Sequence, residues 1–398
     1  MQVLVIGGGA AGFFAAITAA EAGARVSIRE STGQVLAKVR ISGGGRCNVT
    51  HACFDPRELV RFYPRGEREL RGPFSRFQPG DTIAWFAERG VELKTEADGR
   101  MFPISDDSAT IVDCLRSAAQ QAGVTLELRS PVRHIARSDT GLVVDDHSYD
   151  CVCLATGGSR PGHALAQELG HHITPLAPSL FTFVARDPRL RDLAGLSMPH
   201  AQVHLNCDGA RFEQSGPVLI THWGLSGPAI LRLSAWAARE LQATDYRASL
   251  SLNWIGCSEA QASETLHQLA SSHPKQGIAT RAQFGMPKRL WQALVRAAEL
   301  PDTTTWATLG KAARRRLVSE LTACPLRVTG KGQFKDEFVT CGGVDLSEID
   351  TKRMASKLVP GFYVVGEALD IDGITGGFNF QNAWTSGYLA GSAMAVGD

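Results

Sequence analysis

The 398-residue sequence lacks the features that would place it outside the ordinary globular class. It has no run of about 18 apolar residues, so no segment is predicted to span a membrane. Its start lacks the basic and long apolar regions of a signal peptide, so a cytoplasmic location is predicted. The formal net charge is only +1, which argues against a nucleic-acid partner and against an anionic membrane surface.

The nine cysteines lack a pattern as well. They form no C-x-x-C pair and no zinc-like spacing, so the sequence predicts neither a metal site nor a dithiol relay. Scattered cysteines of this kind are typical of reduced thiols in cytoplasmic proteins. Cys47 lies in a glycine-rich segment, where packing in the core is the simpler expectation and proximity to a cofactor is the alternative.

Glycine, in contrast, is abundant and clustered, with 41 residues in the chain. The first cluster, Gly7 to Gly12, follows a short apolar strand and precedes an alanine-rich helix that ends at Gly23. A second strand over residues 25–29 then ends at Glu30. A G-x-G-x-x-G turn in this strand–helix–strand context is typical of dinucleotide binding.

Each part of this first turn has a physical role. Gly7 permits the tight turn, Gly9 lets the backbone approach a diphosphate, and Gly12 lets the helix pack closely against the sheet. The helix N-terminus at Ala10 offers free N–H groups to the phosphates. Glu30 can accept hydrogen bonds from ribose hydroxyls, and its charge disfavours the 2′-phosphate of NADP. FAD and NAD both remain open at this point.

A second glycine turn near the C-terminus separates these two cofactors. A strand over residues 362–365 ends at Gly366, and Gly377 opens a final helix that begins near Phe378. A reduced flavin ring carries negative charge, which a helix N-terminus stabilises by about 0.3–1 kcal/mol. Because NAD has no comparable need, the second turn favours FAD.

Two further features are consistent with FAD. The apolar strand 151–155 runs into Thr156 and Gly157, and a strand end of this kind frequently accompanies FAD because its backbone passes close to the cofactor. Glu367 and Asp370 are candidates to bind ribityl hydroxyls, with turn and capping chemistry as the alternative for both acids.

The positions of these motifs divide the chain. Residues 1–186 and 335–398 carry the glycine turns and are predicted to form a discontinuous α/β domain that binds FAD. Residues 187–334 carry no such turn and are predicted to form an inserted domain. The insert is predicted to be β-rich over about 187–257 and helical over about 258–325.

These segments together resemble a known family, the bacterial FAD-dependent oxidoreductases described as YhiN-like, BaiN-like or aminoacetone oxidase-like flavoproteins. The resemblance extends over nearly the whole chain. It implies a glutathione-reductase-like FAD-binding domain of Rossmann type, interrupted by an insert with a β-barrel-like part and a small helical part. It is carried by VIGGGAAG (5–12), ISGGGRCNVT (41–50), ATGG (155–158), THWGLSGPAIL (221–231), VTCGGVDLSEID (339–350) and SKLVPGFYVVGEALDIDGITGGFNFQNAW (356–384).

The resemblance also implies which residues contact FAD. The sequence departs from the family pattern at Leu36-Ala37 and at His51, both in or beside the loop that carries Lys38. For the diphosphate, the implied contacts are Gly7, Gly9, Ala11 and Gly12, next to Ala10. For the adenosine, they are Glu30, Thr156, Gly157 and Val132, which is expected on the strand after Pro131. A loop that lines the cofactor contains Lys38, Gly44, Gly45 and Arg46, the ribityl chain is contacted by Gly366 and Glu367, and the flavin is contacted by Asp370, Gly377, Phe378 and Asn379.

Catalytic groups beyond the flavin are less well defined. His222, in the Thr-His-Trp-Gly segment of the insert, is the best candidate for proton transfer, because histidine titrates near neutral pH. A structural turn histidine is the alternative. The chain has no second G-x-G-x-x-G turn and thus no separate NAD(P)H domain, so NAD(P)H is considered only as a transient co-substrate.

Three functions remain open. The first is an FAD-dependent oxidoreductase that acts on an unidentified small molecule, with NAD(P)H as the electron donor. The second is a flavin amine oxidase of the aminoacetone oxidase type that passes electrons to O2. The third is an RNA- or partner-binding flavoprotein that uses the basic residues Lys311 to Arg316, within a helix predicted over 305–322. A solvated helix face is the simpler interpretation of those basic residues.

Overall fold

The computed structural model describes residues 1–139, 141–332 and 339–396. The chain divides into two compact units, Met1–Ala177 with Phe338–Asp398, and Pro178–Glu337. The boundary predicted at residues 334 and 335 falls outside the described residues, and the other boundary follows Ala177, where the sequence suggested residue 186. Among the described residues, no helix is both long enough and apolar enough to cross a bilayer.

The elements of both units are numbered in chain order. The strands are β1 (Gln2–Ile6), β2 (Arg25–Arg29), β3 (Thr50–His51), β4 (Leu93–Thr95), β5 (Arg100–Pro103), β6 (Thr125–Glu127), β7 (Ile135–Ser138), β8 (Gly141–Val144), β9 (His147–Tyr149), β10 (Cys151–Leu154), β11 (Ile173–Ser179), β12 (Phe183–Val184), β13 (Ser197–Cys207), β14 (Ala210–Ile220), β15 (Gly224–Ser226), β16 (Ala248–Asn253), β17 (Cys324–Val328), β18 (Gly330–Lys331), β19 (Val339–Val344), β20 (Ile349–Asp350), β21 (Ala355–Ser356) and β22 (Phe362–Val364). The α-helices are α1 (Ala10–Glu21), α2 (Ala37–Gly45), α3 (Pro56–Leu59), α4 (Glu67–Phe74), α5 (Pro79–Ala87), α6 (Ser108–Gln121), α7 (Arg160–Glu168), α8 (Pro228–Trp236), α9 (Ala238–Ala243), α10 (Glu259–Ser272), α11 (Lys288–Ala297), α12 (Lys311–Thr322) and α13 (Phe378–Val396).

The first unit is built on a seven-stranded sheet in the order β20-β21-β22-β10-β1-β2-β6. The neighbours from β22 to β6 are parallel. β1 and β10 lie in the middle of the sheet, and their apolar residues are buried from Val3 to Ile6 and from Cys151 to Leu154. Continuous apolar strands of this kind are typical of parallel sheets. The predicted α/β fold of Rossmann type is confirmed.

The helices α1 and α13 pack against each other through glycines. A Cβ atom on Gly387 would lie 2.7 Å from the carbonyl oxygen of Ala11, and one on Gly391 would lie 2.6 Å from that of Ala15. Because both helices advance by the same four residues between these contacts, they run parallel. Their N-termini therefore point in the same direction.

The second unit contains a seven-stranded antiparallel sheet in the order β17-β16-β13-β14-β15-β12-β18. Its longest strands, β13 and β14, pair along nearly their whole length as a hairpin. The helices α8 to α12 belong to the same unit. Their apolar residues share one core with the sheet, and that core includes the fully buried side chains of Trp254, Trp291 and Trp306.

Two local expectations are wrong. Residues 305–322 do not form one helix, because the extended backbone of Gly310 separates a 3-10 turn at Trp306–Thr308 from α12. Val132 does not lie on a strand, since β7 begins only at Ile135. The backbone N–H groups of Arg133 and His134 donate to the Asp145 carboxylate, so that loop is tied to a side chain and not to a neighbouring strand.

Candidate cofactor and active site

The carboxyl ends of four neighbouring parallel strands meet at one edge of the first sheet. Ile6 is in register with Leu154 of β10 and with Arg29 of β2, and Leu154 is in register with Val364 of β22. This edge is where open parallel sheets bind their ligands. The residues that follow these strand ends are therefore brought together from four distant parts of the sequence: Gly7, Glu30, Thr156 and Gly366.

The turn after β1 packs closely on one side and is open on the other. A Cβ atom on Gly12 would lie 2.1 Å from the carbonyl oxygen of Gly7, so only glycine fits there. A Cβ atom on Gly9 would meet no described atom within 4 Å. Among the described residues, no side chain caps α1, and its first turn holds no acidic residue. The N–H groups of Ala10 and its neighbours therefore fit an anion such as a diphosphate.

Glu30 is oriented by the backbone around it. Its carboxylate accepts hydrogen bonds from the N–H groups of Gly8 at 2.9 Å and Thr32 at 2.8 Å. Burial acts to raise the pKa of Glu30, but these hydrogen bonds outweigh burial, so the pKa lies below its ordinary value. Glu30 is therefore ionised at neutral pH and remains suited to accept hydrogen bonds from a ribose.

A cavity of about 650 Å³ lies in the first unit around the loop that flanks Val132. Its wall combines the side chains of Arg29, Arg129, Arg133 and His134 with the carboxylates of Asp145 and Asp146. Arg29 forms an ion pair with Asp145, at 2.9 Å. The loop predicted to contact the adenosine thus borders an open space in which arginines outnumber carboxylates.

The N-terminus of α13 is held by the segment 48–63. The Tyr63 hydroxyl donates to the Phe378 carbonyl oxygen at 2.5 Å. The Asn48 amide, in the orientation that pairs both of its atoms, accepts from the Gly377 N–H at 3.0 Å. A Cβ atom on Gly377, where φ is +96°, would lie 2.4 Å from the Thr50 carbonyl oxygen. Sequence reasoning found the glycine but missed its partners.

The first side chain of α13 lies in an aromatic stack. The ring of Phe378 is 4.4 Å from the ring of Phe62 and 4.7 Å from that of His51. His51 Nε2 is 3.1 Å from the Asp98 carbonyl oxygen, and its buried Nδ1 has no partner among the described residues. Burial lowers the pKa of His51, so its imidazole is neutral at pH 7.

The loop that leads into α13 depends on a buried ion pair. Asp372 is fully buried, and its carboxylate makes two contacts with the Arg65 guanidinium, one of them at 2.5 Å between Oδ1 and Nε. Asn379 uses both amide atoms on the backbone of Gly373, each at 2.8 Å. Sequence reasoning singled out Asp370, whose N–H donates to the Val344 carbonyl oxygen, and missed Asp372. The Asp-Ile-Asp sequence at 370–372 identifies the segment, but it does not indicate which of its two aspartates is buried.

Lys38 and Glu367 meet across more than 300 residues of sequence. Lys38 Nζ lies 2.7 Å from Glu367 Oε2, and Glu367 Oε1 accepts from the Thr340 N–H at 2.8 Å. A Cβ atom on Gly157 would lie 3.8 Å from the same carboxylate. The hydroxyl of Thr156 is buried and has no partner among the described residues. An orphaned hydroxyl at this edge is suited to a bound ligand.

The loop after Lys38 is partly helical. Ala37–Ile41 form regular helix, but Ser42, Gly43 and Gly44 leave the helical conformation. A Cβ atom on Gly44 or on Gly45 would meet no described atom within 4 Å. The Arg46 guanidinium pairs with Glu96 at 2.6 Å and lies over the Phe102 ring at 3.9 Å. The described residues therefore leave space beside Gly44 and Gly45, whereas the Arg46 guanidinium already contacts Glu96 and Phe102.

Two other predicted residues have different environments. Cys47 is completely buried, and burial raises the pKa of its thiol to about 12, so it is not a thiolate at neutral pH. His222 belongs to the second unit, where it lies exposed in the turn between β14 and β15. Among the described residues, no group of three or more His, Cys, Asp and Glu could hold a metal ion.

The two helix N-termini are displaced from each other along their common direction. Gly387 of α13 lies level with Ala11 of α1. At 1.5 Å per residue, the start of α13 at Phe378 therefore projects about 12 Å beyond the start of α1. In FAD the flavin ring is separated from the diphosphate by a ribityl chain, so a second N-terminus displaced from the first in this way is suited to the ring. The open turn at Gly9, the ionised Glu30 and the second N-terminus together fit FAD.

Comparisons with known proteins agree with this arrangement. A family model described as the HI0933-like protein Rossmann domain matches residues 1–393. The chain is 31% identical to a ribosomal RNA dihydrouridine synthase of Escherichia coli (strain K12), over 97% of this chain and 96% of that protein. It is 28% identical to a 3-dehydro-bile acid delta(4,6)-reductase of Clostridium scindens, over 99% of each protein.

A solved structure supports the fold. The crystal structure of 3-ketosteroid-delta4-(5alpha)-dehydrogenase from Rhodococcus jostii RHA1 has a TM-score of 0.52 and an identity of 15%, and the match covers 99% of this chain and 97% of that chain. At this identity the likeness concerns the fold alone.

Proposed function

The chain belongs to the HI0933-like family of Rossmann flavoproteins and is an FAD-dependent oxidoreductase, and we propose that it reduces a carbon–carbon double bond conjugated to a carbonyl group. The favoured substrate is a uracil base of ribosomal RNA, and the favoured electron donor is NAD(P)H. Reduction adds a hydride to one carbon and a proton to the other, while NAD(P)H is oxidised to NAD(P)+.

The choice of reaction comes from two relatives that align over nearly the whole chain. One is named for making dihydrouridine, which saturates the C5–C6 bond of uracil beside the C4 carbonyl. The other is named for a delta(4,6)-reduction of a 3-oxo compound. Both names describe the reduction of a double bond in conjugation with a carbonyl group. The higher identity to the RNA enzyme favours uracil over a steroid-like substrate.

The proposal that FAD is the cofactor depends mainly on one observation, the pair of parallel helix N-termini at one sheet edge. We propose that the N–H groups of α1 bind the diphosphate and that Glu30 binds the adenosine ribose. The N-terminus of α13 would stabilise the negative charge of the reduced flavin ring, by about 0.3–1 kcal/mol and up to about 2 kcal/mol when partly buried. Bound FAD, once reduced by NAD(P)H, would supply the hydride, and the protein would supply orientation and electrostatics.

The other implied contacts stay part of this proposal. Lys38 with the open Gly44 and Gly45 would line the cofactor, Gly366 and Glu367 would face the ribityl chain, and Asp370, Gly377 and Asn379 would surround the flavin. The tight pairing of Asn379 with Gly373 favours a supporting role for its amide. We retain His222 as the candidate that delivers the proton, since its side chain is exposed.

The test begins with the visible spectrum of the purified protein and its change under anaerobic titration with NADH or NADPH. The proposal expects flavin bands that one of these donors bleaches. The reduced protein is then mixed with unmodified ribosomal RNA, with a 4-en-3-one steroid, or with air. Rapid reoxidation by RNA supports the full proposal, and reoxidation by the steroid alone would move the substrate to small conjugated ketones. Bleaching by aminoacetone instead of a nicotinamide would indicate an amine oxidase.

A further inference from the structure

A tryptophan is displayed on the surface of the second unit. Trp223 is 56% exposed, although tryptophan is usually well buried. It lies in the turn between β14 and β15, directly after His222. A single exposed apolar residue is not by itself a binding site, but an exposed aromatic ring offers a face on which a nucleic-acid base can stack.

The turn that carries Trp223 is held rigidly. The Thr221 hydroxyl accepts hydrogen bonds from the N–H groups of Trp223 at 3.3 Å and Gly224 at 3.1 Å. The Thr221 N–H donates to the Gly224 carbonyl oxygen at 2.8 Å, and the Trp223 carbonyl oxygen accepts from the Ala185 N–H at 3.0 Å. The backbone on both sides of the ring is therefore fixed. A ligand that stacks on Trp223 would pay little entropy for ordering the loop.

Two arginines line the same cavity as the ring. Trp223 and His222 line a cavity of about 490 Å³ together with Arg186 and Arg191. Both arginines are exposed, and among the described residues neither makes a salt bridge. The one carboxylate in the wall, Asp187, is already paired with Arg189 at 2.8 Å. The free charge in this cavity is therefore positive.

The charge of the whole second unit has the same sign. Residues 178–337 contain 19 Lys and Arg against 13 Asp and Glu, whereas the rest of the chain contains 22 against 27. The small net charge of +1 hides this asymmetry. A basic unit on an otherwise acidic protein favours a polyanionic partner.

From these observations we infer that the cavity around Trp223 binds single-stranded RNA. A base stacks on the indole ring of Trp223, and the guanidinium groups of Arg186 and Arg191 contact phosphates on either side of it. Stacking on an aromatic side chain beside basic residues is the common mode of single-strand recognition. The inference rests on the proposed function, because it supplies the site through which an RNA substrate is held.

The test measures the binding of a fluorescein-labelled, uridine-rich single-stranded RNA to the oxidised holoprotein without electron donor. Fluorescence anisotropy gives the affinity at several salt concentrations. Trp223→Ala is expected to weaken binding about tenfold or more, whereas Trp223→Phe retains most of the affinity because a ring remains. The double variant Arg186→Gln/Arg191→Gln is expected to weaken binding and to lower the salt slope by about 1.4, at about 0.7 for each phosphate contact on a single strand.

The matched control removes the same charge elsewhere in the same unit. Lys311→Gln/Arg315→Gln changes two exposed residues of the basic helix α12 and is expected to change binding less than twofold. Thermal unfolding of each variant shows that folding is preserved. Equal losses in the control and in the Arg186/Arg191 variant, or wild-type affinity in Trp223→Ala, would overturn the inference.

This test is separable from that of the proposed function. RNA binding that depends on Trp223, without any dihydrouridine formed, would contradict the reaction but not the binding site. Reduction of uracil in RNA by Trp223→Ala with an unchanged KM for the RNA would contradict the binding site but not the reaction.

Discussion

The two helix N-termini of the first unit look alike in sequence but are built differently. The N-terminus of α1 is positioned by residues close to it along the chain, since Gly12 packs against the Gly7 carbonyl and both lie within one turn. The N-terminus of α13 is positioned by residues more than 300 positions away, namely Asn48, Thr50 and Tyr63. A local motif can thus specify the first site, whereas the second depends on the folded unit.

The largest expected effect breaks the local site. Gly12→Ala places a Cβ atom 2.1 Å from a backbone oxygen, so α1 cannot pack as it does. We expect the free energy of unfolding to fall by about 5 kcal/mol or more, at the extreme of single substitutions. Urea unfolding of the FAD-free protein measures this loss.

Gly9→Ala is the matched control for that variant. Its Cβ atom meets no described atom within 4 Å, so the FAD-free protein should change in stability by about 1 kcal/mol or less. Its affinity for FAD should nevertheless fall at least tenfold, because the methyl group occupies the space expected for the diphosphate. Equal FAD affinity in Gly9→Ala and wild type would show that the cofactor does not lie over this turn.

The second largest effect breaks the distant site. Arg65→Met leaves the fully buried Asp372 carboxylate without its guanidinium, which typically costs about 3–5 kcal/mol. Without the guanidinium, buried Asp372 has a raised pKa in the folded protein, so the folded state takes up a proton as the pH falls. The stability deficit relative to wild type should therefore shrink between pH 7 and pH 5.

Asp372→Asn combined with Arg65→Met is the control for that pH dependence. The double variant has no carboxylate at position 372, so its stability relative to wild type should show no such recovery at pH 5. An Arg65→Met protein whose deficit does not depend on pH would mean that the ion pair is not what holds this loop.

A smaller effect is expected at the tip of α13. Tyr63→Phe removes the hydrogen bond to the Phe378 carbonyl oxygen, which is worth about 0.5–1.5 kcal/mol. Thermal unfolding should therefore shift by a few degrees, with the aromatic stack retained. A shift as large as that of Arg65→Met would indicate that the hydroxyl supports more than this one contact.

The smallest effect on stability is expected at Lys38. Its side chain is 55% exposed in the pair with Glu367, and such pairs contribute about 0–1 kcal/mol. Lys38→Met should therefore unfold almost like wild type. If Lys38 lines the cofactor as proposed, the Lys38→Met variant binds FAD more weakly than wild type although its stability is unchanged. Equal FAD affinity in the variant and wild type would show that the Lys38–Glu367 pair does not contribute to cofactor binding.

The same contrast explains what the sequence could predict. The fold class, the family and the first turn follow from short patterns, and the fold class and family are confirmed. The supports of α13 come from residues 48–65, whose roles depend on tertiary contacts that no local pattern encodes. Val132 is expected on a strand after Pro131, yet the Asp145 carboxylate takes the backbone donors of that loop.

The charge of the chain gives a second lesson of this kind. A net charge of +1 argues against a nucleic-acid partner only while the chain is taken as a whole, because the basic excess of the second unit and the acidic excess of the first cancel in the sum. Once the units are separated, the excess of basic residues lies in the second. The basic residues of α12 drew attention in the sequence, but the exposed Trp223 with Arg186 and Arg191 forms the better defined surface.

The most direct test of the proposed function is the nucleoside composition of ribosomal RNA after reaction. Unmodified ribosomal RNA is incubated with the FAD-loaded protein and NADPH or NADH without oxygen, then digested and analysed by mass spectrometry, with Gly9→Ala as the cofactor-deficient control. We predict dihydrouridine at a defined position with the wild type and little with Gly9→Ala. A protein whose flavin is reduced by the donor while every uridine stays unreduced would contradict the account.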